Sequence, residues 1–284
     1  MDKGVRLSAV YFINLMPAKE RGIVQRHIED IESLRAMART NVDLYEIRID
    51  SRLGLNEFLL QVMHDARHHQ GRYVTFHIDA HSNEQGIEVN HILIGWIEFF
   101  TILRAVNIAL HGRLTLHLAA CRAAWSITQI DITKATPFIA LIAPEVDLSA
   151  GESIEIYHTF YDAIFFERSY SAAVKALKRE AQAHNIAFFT ATANRHFWDG
   201  AAAYVENHTR GRGRQERLEN LVSRLNDAGL DGVSMRKKIK ALLWADQEPL
   251  LKKFWEIFML IDRYPELQDE MRLAMPHQLF TAAP

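Results

Sequence analysis

The stretch Tyr73–His81, YVTFHIDAH, decides the fold class, and Leu114–Cys121, LTLHLAAC, has the same pattern. Each is a short, nearly continuous apolar run that ends in a chemically reactive residue, a histidine in the first and a cysteine in the second. Runs of this kind are typical of strands that are covered on both faces. The two stretches therefore predict neighbouring strands in a buried, parallel part of a sheet.

Four further β-prone runs flank these two, at residues 9–15, 42–49, 138–142 and 186–190. The segments between the runs, at 21–39, 54–70, 96–110, 125–134 and 152–184, carry apolar residues at helical spacing, as in Ile23, His27, Ile28, Ile31 and Leu34. This alternation predicts an α/β fold, a doubly wound and mainly parallel six-stranded sheet with helices on both faces. Gly86–Ile94, GIEVNHILI, breaks the alternation and predicts a small hairpin with an Asn-His turn.

The pattern becomes purely helical from about residue 201. We expect one domain over residues 1–200 and a helical C-terminal region over 201–284, with helices at 218–228, 234–244, 248–262 and 266–273. Asn207–Arg217, NHTRGRGRQER, is polar and glycine-bearing and predicts an exposed loop. The region also carries aromatic residues at helical spacing, which is more typical of a core than of a partner surface: Trp244, Phe254, Trp255 and Phe258.

The bulk composition excludes several classes of protein. The formal net charge of -2 gives no global field that would attract nucleic acid or acidic membranes. The single cysteine excludes an intramolecular disulfide. The first residues, MDKGVRLSAVYFINLMP, do not have the architecture of a signal peptide, and no apolar stretch approaches the roughly 18 residues that span a bilayer. We expect a cytoplasmic protein with neither a nucleic acid nor a membrane as partner.

His81 and Cys121 are the strongest candidates for chemistry. Strands that lie side by side in a parallel sheet end at the same edge, about 5 Å apart, so a thiol and an imidazole meet there. A helix predicted directly after Cys121 would favour the thiolate, and its free N–H groups would stabilise an oxyanion. Alternatively, Cys121 is a small buried hydrophobic residue and His81 only bonds the backbone at the end of its strand.

Metal binding is a less favoured interpretation of the same region. His77 and His81 are four residues apart, and on a strand this separation is about 13 Å, too far for shared chelation. His77 is expected to lie in the sheet beneath the site. A site built from His81, Cys121 and His117, or a metal-dependent hydrolase that uses His77, His81 and Cys121, remains an alternative. We expect no metal and no organic cofactor.

The two segments resemble the motifs of a known peptidase family. HIDAHSNEQGIEV, residues 77–89, is similar to the histidine motif of caspase-like (clan CD) cysteine peptidases, and LTLHLAACRAAW, residues 114–125, is similar to their cysteine motif. The order of the two motifs and the 40 residues between His81 and Cys121 also fit. Glu155–Ala176 is similar to a helical stretch of the bacterial, CHAT-like members. The resemblance covers residues 5–195 and leaves out the helical C-terminal region.

The resemblance implies a caspase-like fold and hydrolysis of a peptide bond through an acyl-enzyme. Cys121 would be the nucleophile and His81 the general base or polarising histidine, without a cofactor. The backbone N–H groups of Ser82 and Cys121 would form the oxyanion hole. The family usually has glycine at the position of Ser82, so the freedom of a positive φ is lost here.

The resemblance also places the segment APEVDLSAGE, residues 143–152, near the pocket for the P1 side chain. Its acids, Glu145, Asp147 and Glu152, would bind an arginine or lysine of the substrate. Alternatively they form a solvated loop that caps the following helix. Asp79 is a weaker candidate for this role.

For the whole chain the resemblance implies a regulated protease with a protein substrate, in a defence pathway such as antiviral defence or in cell death. An activating protein would bind the C-terminal helices. The arginine-rich run Arg210–Arg217 is then a solvated linker, a phosphate contact or a self-processing site. The alternative function is a catalytically inactive caspase-like scaffold that binds a partner.

Overall fold

A computed structural model describes residues 7–69, 71–209, 211–245 and 247–271 of the chain. The chain divides into two compact units, with the boundary between Ala193 and Asn194 and with Ile132–Lys134 belonging to the second. The domain boundary predicted at residue 200 lies inside the helix Ala193–His208. The ends of two predicted helices, at residue 70 and at residues 272–273, lie outside the described residues, as does Arg210.

The strands follow the predicted β-prone runs closely. They are Leu7–Asn14 (β1), Asp43–Arg48 (β2), Tyr73–Asp79 (β3), Ser82–Asn83 (β4), Gly86–Val89 (β5), Ile92–Gly95 (β6), Leu114–Ala119 (β7), Ala140–Pro144 (β8) and Phe188–Thr192 (β9). Six of them form one sheet in the order β2-β1-β3-β7-β8-β9, which is parallel except for β9. The predicted α/β class and the mostly parallel six-stranded sheet are confirmed.

Ten α-helices occur in the described part of the chain. They are Arg21–Ala38 (α1), Arg52–Asp65 (α2), Trp96–Ala109 (α3), Ala150–Phe166 (α4), Tyr170–Ala183 (α5), Ala193–His208 (α6), Gly211–Asp227 (α7), Gly232–Trp244 (α8), Glu248–Phe258 (α9) and Glu266–Glu270 (α10). Three short 3₁₀ helices lie at Ala18–Glu20, Ala66–His69 and Ala123–Gln129. No α-helix among the described residues is both long enough and apolar enough to cross a membrane.

Helices cover both faces of the sheet, because side chains alternate along each strand. Val10 and Phe12 of β1 belong to a core that also contains residues of α1, α4 and α5. Tyr11, between them, points the other way, where its ring stacks on Tyr45 and meets Phe58 of α2. The central strands are buried almost throughout, which explains why their sequences are continuously apolar.

The predicted hairpin at Gly86–Ile94 is confirmed. β5 and β6 pair antiparallel, and the turn residues Asn90 and His91 both have positive φ, at 48° and 68°. Two positive φ values are what the commonest two-residue hairpin turn requires. β4 pairs with β5 and makes this a three-stranded sheet directly after the end of β3.

Two predicted helical segments differ from the structure. Only the 3₁₀ helix Ala123–Gln129 occupies the predicted helix at 125–134, because Arg122 turns the chain with a φ of 54° before it. The segment 152–184 is two helices instead of one. Arg168 has a φ of 53°, and the Ser169 hydroxyl accepts a hydrogen bond from the backbone of Ala172 to begin α5.

The prediction of an exposed loop at Asn207–Arg217 is wrong, because α6 continues to His208 and α7 begins at Gly211. Contacts inside the second unit favour helix over loop. Arg212 pairs with Glu216 one turn later, and Arg214 lies 5.1 Å above the ring of Trp244. In the same unit Trp255 and Phe258 are buried, as their spacing indicated, whereas Phe254 is half-buried and Trp244 is 42% exposed, so the prediction of a core position is wrong for Trp244.

Candidate active site

A cleft of about 270 Å³ opens at the carboxyl ends of the central strands, where ligand sites of open α/β sheets lie. Its walls come from the ends of β3 and β7, from α1 with the preceding 3₁₀ helix, and from the start of α4. The lining includes His81 and Cys121 together with Met16, Glu20, Ile23, Val24, His27, Asp79, Ala80, Ala119, Ala120, Leu148, Ser149, Ala150, Ser153 and Ile154.

The register between β3 and β7 carries His81 and Cys121 to this cleft. Each residue of β3 pairs with the residue 40 positions later, as in His77 with His117 and Asp79 with Ala119. His81 and Cys121 continue the same offset two residues beyond the last pair. Neighbouring parallel strands are about 4.8 Å apart, so the two residues leave the sheet side by side.

His81 is oriented by an acid. Its Nε2 lies 2.9 Å from Oε2 of Glu20, and both side chains are partly exposed, His81 at 43% and Glu20 at 35%. An imidazole that donates Nε2–H to a carboxylate keeps Nδ1 unprotonated, which is the tautomer that a general base needs. A histidine paired with an acid is therefore present on one wall of the cleft.

Cys121 is held by the backbone of the loop before α4. The backbone N–H of Leu148 donates to its Sγ at 3.4 Å, and the thiol points to the Leu148 carbonyl at 3.6 Å. This contact takes the place of the predicted α-helix N-terminus, because the segment after Cys121 is a short 3₁₀ helix.

The residue after the cysteine is constrained. Arg122 has left-handed backbone angles, its N–H donates to the carbonyl of Val146, and its guanidinium pairs with both carboxylate oxygens of Asp147 at 3.0 Å. The Asp147 hydrogen bonds raise the pKa of Arg122. Residues with sparsely populated backbone angles concentrate at functional sites, where surrounding contacts hold them.

Ser82 connects the two strand ends. Its hydroxyl donates to the carbonyl of Cys121, and its backbone belongs to β4, opposite Ile87. Ser82 does not have a positive φ, so the glycine that caspase-like peptidases usually have at this position is not required by the backbone of this chain. The predicted oxyanion residues, Ser82 and Cys121, are thus brought together.

The predicted substrate-binding acids are not brought to the cleft. Glu145 and Asp147 are exposed, Glu152 is half-buried, and all three are outside its lining. Asp147 is paired with Arg122, while Glu152 and Ser149 form a capping box that begins α4 and lowers the pKa of Glu152. These two acids therefore have the structural roles of the alternative interpretation. The acids that line the cleft are Glu20 and Asp79.

Beneath His81 lies a buried group of three polar side chains: His27 of α1 and His77 and Asp79 of β3. Their exposed fractions are 1%, 0% and 8%, and one ligand atom from each lies within 4.8 Å of the other two. Burial, and next the neighbouring His77, lower the pKa of His27 to about 3, so His27 is neutral. From the sequence, Asp79 is a weak candidate for substrate binding and His77 a ligand in the less favoured metal interpretation, whereas His27 is not a site candidate.

The metal sites considered from the sequence do not form. Of the described residues, only two groups have the spacing to hold a metal ion, the buried one above and an exposed group of Glu155, Glu180 and His184. Neither contains Cys121, His81 or His117. His117 is instead a buried neighbour of His77, and burial followed by His77 lowers its pKa well below 6.5.

Sequence reasoning missed Glu20, His27 and Leu148. Glu20 is 61 residues from His81 and has no local signal. His27 does have a local sequence signal, because it is a histidine on the apolar face of α1, between Val24 and Ile31.

The chain matches no protein-family model and no curated protein sequence.

Proposed function

We propose that the chain is a caspase-like cysteine endopeptidase in which Cys121 is the nucleophile and His81 the base. The observation that supports it is that both residues line one cleft at the ends of the paired strands β3 and β7. Glu20 supplies the third group that nucleophile and base pairs commonly have.

The reaction proceeds in two steps. His81 takes the proton of the Cys121 thiol, the sulfur attacks the carbonyl carbon of the scissile peptide bond, and a tetrahedral oxyanion forms. Backbone N–H groups of Ser82 and Cys121 stabilise that oxyanion. The imidazolium then gives its proton to the leaving amine as the C–N bond breaks. A water molecule, deprotonated by His81, hydrolyses the thioester and releases the acid and the thiol.

The proposal extends to a protein substrate and to a regulated role in a cytoplasmic defence or cell-death pathway, both taken from the resemblance. A preference for a basic P1 residue is not part of it, because Glu145, Asp147 and Glu152 lie outside the cleft. The lining is largely apolar, with Met16, Ile23, Val24, Leu148 and Ile154 on its walls.

The test is labelling by peptidyl acyloxymethyl ketones that carry arginine, aspartate or leucine at P1, followed by mass spectrometry. One of the probes is expected to modify Cys121, and both Cys121→Ala and His81→Ala are expected to abolish the modification. His68→Ala is the matched control, because His68 is exposed and remote from the cleft lining, and it should label like the wild type.

A second measurement is needed in case the protein binds peptides only after activation. The rate of alkylation by iodoacetamide reports the thiolate directly, and a working pair gives a His81-dependent rate below the pH at which free thiols react. If neither the ketones nor iodoacetamide distinguish His81→Ala from the wild type, the chain is the inactive scaffold and the proposal is wrong.

A further inference from the structure

Three buried polar atoms at the floor of the cleft face one another without hydrogen-bond partners. They are Nε2 of His27, Nε2 of His77 and Oδ2 of Asp79, and none of them has a hydrogen bond to any other described residue. Leaving a buried polar group unpaired costs about 1–3 kcal/mol, and buried polar groups in proteins are nearly always paired. Three such atoms at one point indicate that they share a partner of another kind.

A hydrogen-bond chain in the core sets the tautomer of His77. Its Nδ1 lies 3.1 Å from the hydroxyl of Tyr161, which lies 3.4 Å from Nδ1 of His117, and Nε2 of His117 lies 3.5 Å from the hydroxyl of Tyr170. When His77 donates Nδ1–H to Tyr161, each later group donates to the next. The Nε2 of His77 is then a bare lone pair that points into the buried group.

The opposite direction of this chain fits less well. It would place a hydrogen on Nε2 of His77, and its nearest acceptor in the group, Oδ2 of Asp79, is 3.6 Å away. That distance exceeds the range of a hydrogen bond. Metal-binding histidines commonly donate their other ring nitrogen to a neighbouring group, as His77 does to Tyr161 in the first arrangement.

We propose that His27 Nε2, His77 Nε2 and Asp79 Oδ2 bind one divalent transition-metal ion, with Zn²⁺ as the best match. Two neutral imidazoles and one carboxylate form a ligand set that Zn²⁺ takes in three-ligand sites. Zn–N and Zn–O bonds of about 2.0–2.2 Å put tetrahedral ligand atoms about 3.3–3.6 Å apart. The distance of 3.6 Å between Nε2 of His77 and Oδ2 of Asp79 agrees with this spacing. The ligand atom of His27 lies within 4.8 Å of the other two, and a shift of about 1 Å brings it to the same spacing.

The ion would join α1 to β3 beneath the cleft. His27 and Asp79 both line the cleft, so an ion bound to them would lie at the wall of the cleft. The site differs from the catalytic pair, because neither His81 nor Cys121 belongs to it. It goes beyond the proposed function, and zinc binding can be measured whether or not the chain cleaves peptides.

The experiment measures Zn²⁺ binding by the full chain. Protein stripped with a chelator is titrated with Zn²⁺ against a chromophoric indicator, and bound zinc is counted by elemental mass spectrometry. One tightly bound ion per chain is expected. His27→Gln and Asp79→Asn are each expected to weaken binding at least tenfold, since changes even to residues that only support metal ligands cost about 10–100-fold.

Two control variants locate the ion. His184→Gln removes the exposed group with Glu155 and Glu180, and Cys121→Ser removes the thiol; both should bind Zn²⁺ like the wild type. Co²⁺ in place of Zn²⁺ should give visible d–d bands without the near-ultraviolet charge transfer of a thiolate ligand. Thermal unfolding of metal-free His27→Gln and Asp79→Asn verifies that they fold, and added Zn²⁺ should raise the melting temperature of the wild type and the two controls but not of these two variants.

Three results would each overturn the proposal. The first is a wild-type chain that retains no stoichiometric zinc after reconstitution. The second is unchanged affinity in folded His27→Gln and Asp79→Asn. The third is loss of binding in Cys121→Ser or His184→Gln, which would place the ion at the thiol or at the surface.

Discussion

Gly86 is a position at which a single methyl group should destabilise the sheet that follows His81. It is buried at the start of β5, and a Cβ placed there would lie 2.2 Å from the carbonyl oxygen of Ile94 and 2.8 Å from its carbonyl carbon. Both atoms belong to the backbone of β6, so no side-chain rotation can relieve the contact. Gly86 does not have a positive φ, and the cost of Gly86→Ala is therefore one of space alone.

The magnitude follows from the size of that overlap. Overpacking a buried position typically costs about 1–3 kcal/mol, and a collision with backbone belongs at the upper end, at about 3 kcal/mol. For a unit of roughly 150–250 residues each kcal/mol lowers the melting temperature by about 2–4 °C. We expect Gly86→Ala to lower the melting temperature of the first unit by about 6–12 °C.

The assay is thermal unfolding followed by circular dichroism, together with hydrogen exchange of peptides from β4, β5 and β6. Gly151→Ala is the matched control, because Gly151 is an exposed residue of α4 and a Cβ added to it would have no atom within 4 Å. Alanine in a helix is better than glycine by about 0.5–1 kcal/mol, so this variant should melt at or above the wild-type temperature. The packing argument is refuted if Gly86→Ala has the same melting temperature as Gly151→Ala. It is also refuted if the β5 and β6 peptides of Gly86→Ala exchange hydrogen at the wild-type rate.

Two further predictions concern the cleft and the core. Glu20→Gln should slow ketone labelling of Cys121 by no more than about fivefold, because a partly exposed ion pair contributes about 0.2–1 kcal/mol, whereas His81→Ala should slow it about a hundredfold or more. An equal loss in both variants would mean that Glu20 does more than orient His81. Burial lowers the pKa of His69 below 6.5, so His69 binds a proton more readily in the unfolded chain than in the folded one. The contribution of neutral His69 to the free energy of unfolding is therefore complete above about pH 6.5 and declines as the pH falls below it. His69→Gln should be less stable than the wild type at about pH 7.5, and the difference should narrow towards about pH 5.5; a constant difference in unfolding free energy would contradict this.

The sheet could be predicted from the sequence because its signal is local. A buried parallel strand is a short apolar run in any context, and all six of the predicted β-prone runs lie in the sheet. The placement of His81 and Cys121 follows from the same logic, since residues after neighbouring parallel strands meet at one edge. The hairpin at Asn90-His91 is also local, because two positive φ values favour such residues.

The errors come from interactions that no local window contains. Glycine and arginine in residues 207–217 indicate a loop, but Arg217 stacks over Tyr204 and Arg214 over Trp244, which is 30 residues away. The pairing of Asp147 with Arg122 across 25 residues likewise removes an acid from the predicted pocket. Composition gives a residue's polarity, and only the folded chain determines which partner satisfies it.

Strand alternation explains why the candidate zinc ligands and the candidate base belong to one strand. Residues 75, 77 and 79 of β3 share a face, and the register sets each opposite the residue 40 positions later; His81 follows two residues after the last pair. The hydroxyl groups of Thr75 and Thr115 form a hydrogen bond of 2.6 Å. His77 and His117 both form hydrogen bonds with the hydroxyl of Tyr161. Polar residues on this face thus have polar partners across the strands.

That pattern stops at Asp79, which is opposite Ala119. The alanine side chain offers no hydrogen bond, and Oδ2 of Asp79 and Nε2 of His77 have no hydrogen-bond partner among the described residues. Two residues beyond that last pair, His81 and Cys121 both line the cleft. A buried group without hydrogen-bond partners and a partly exposed histidine thus follow one another along one strand, and their different burial is the reason that zinc titration and thiol labelling can test them separately.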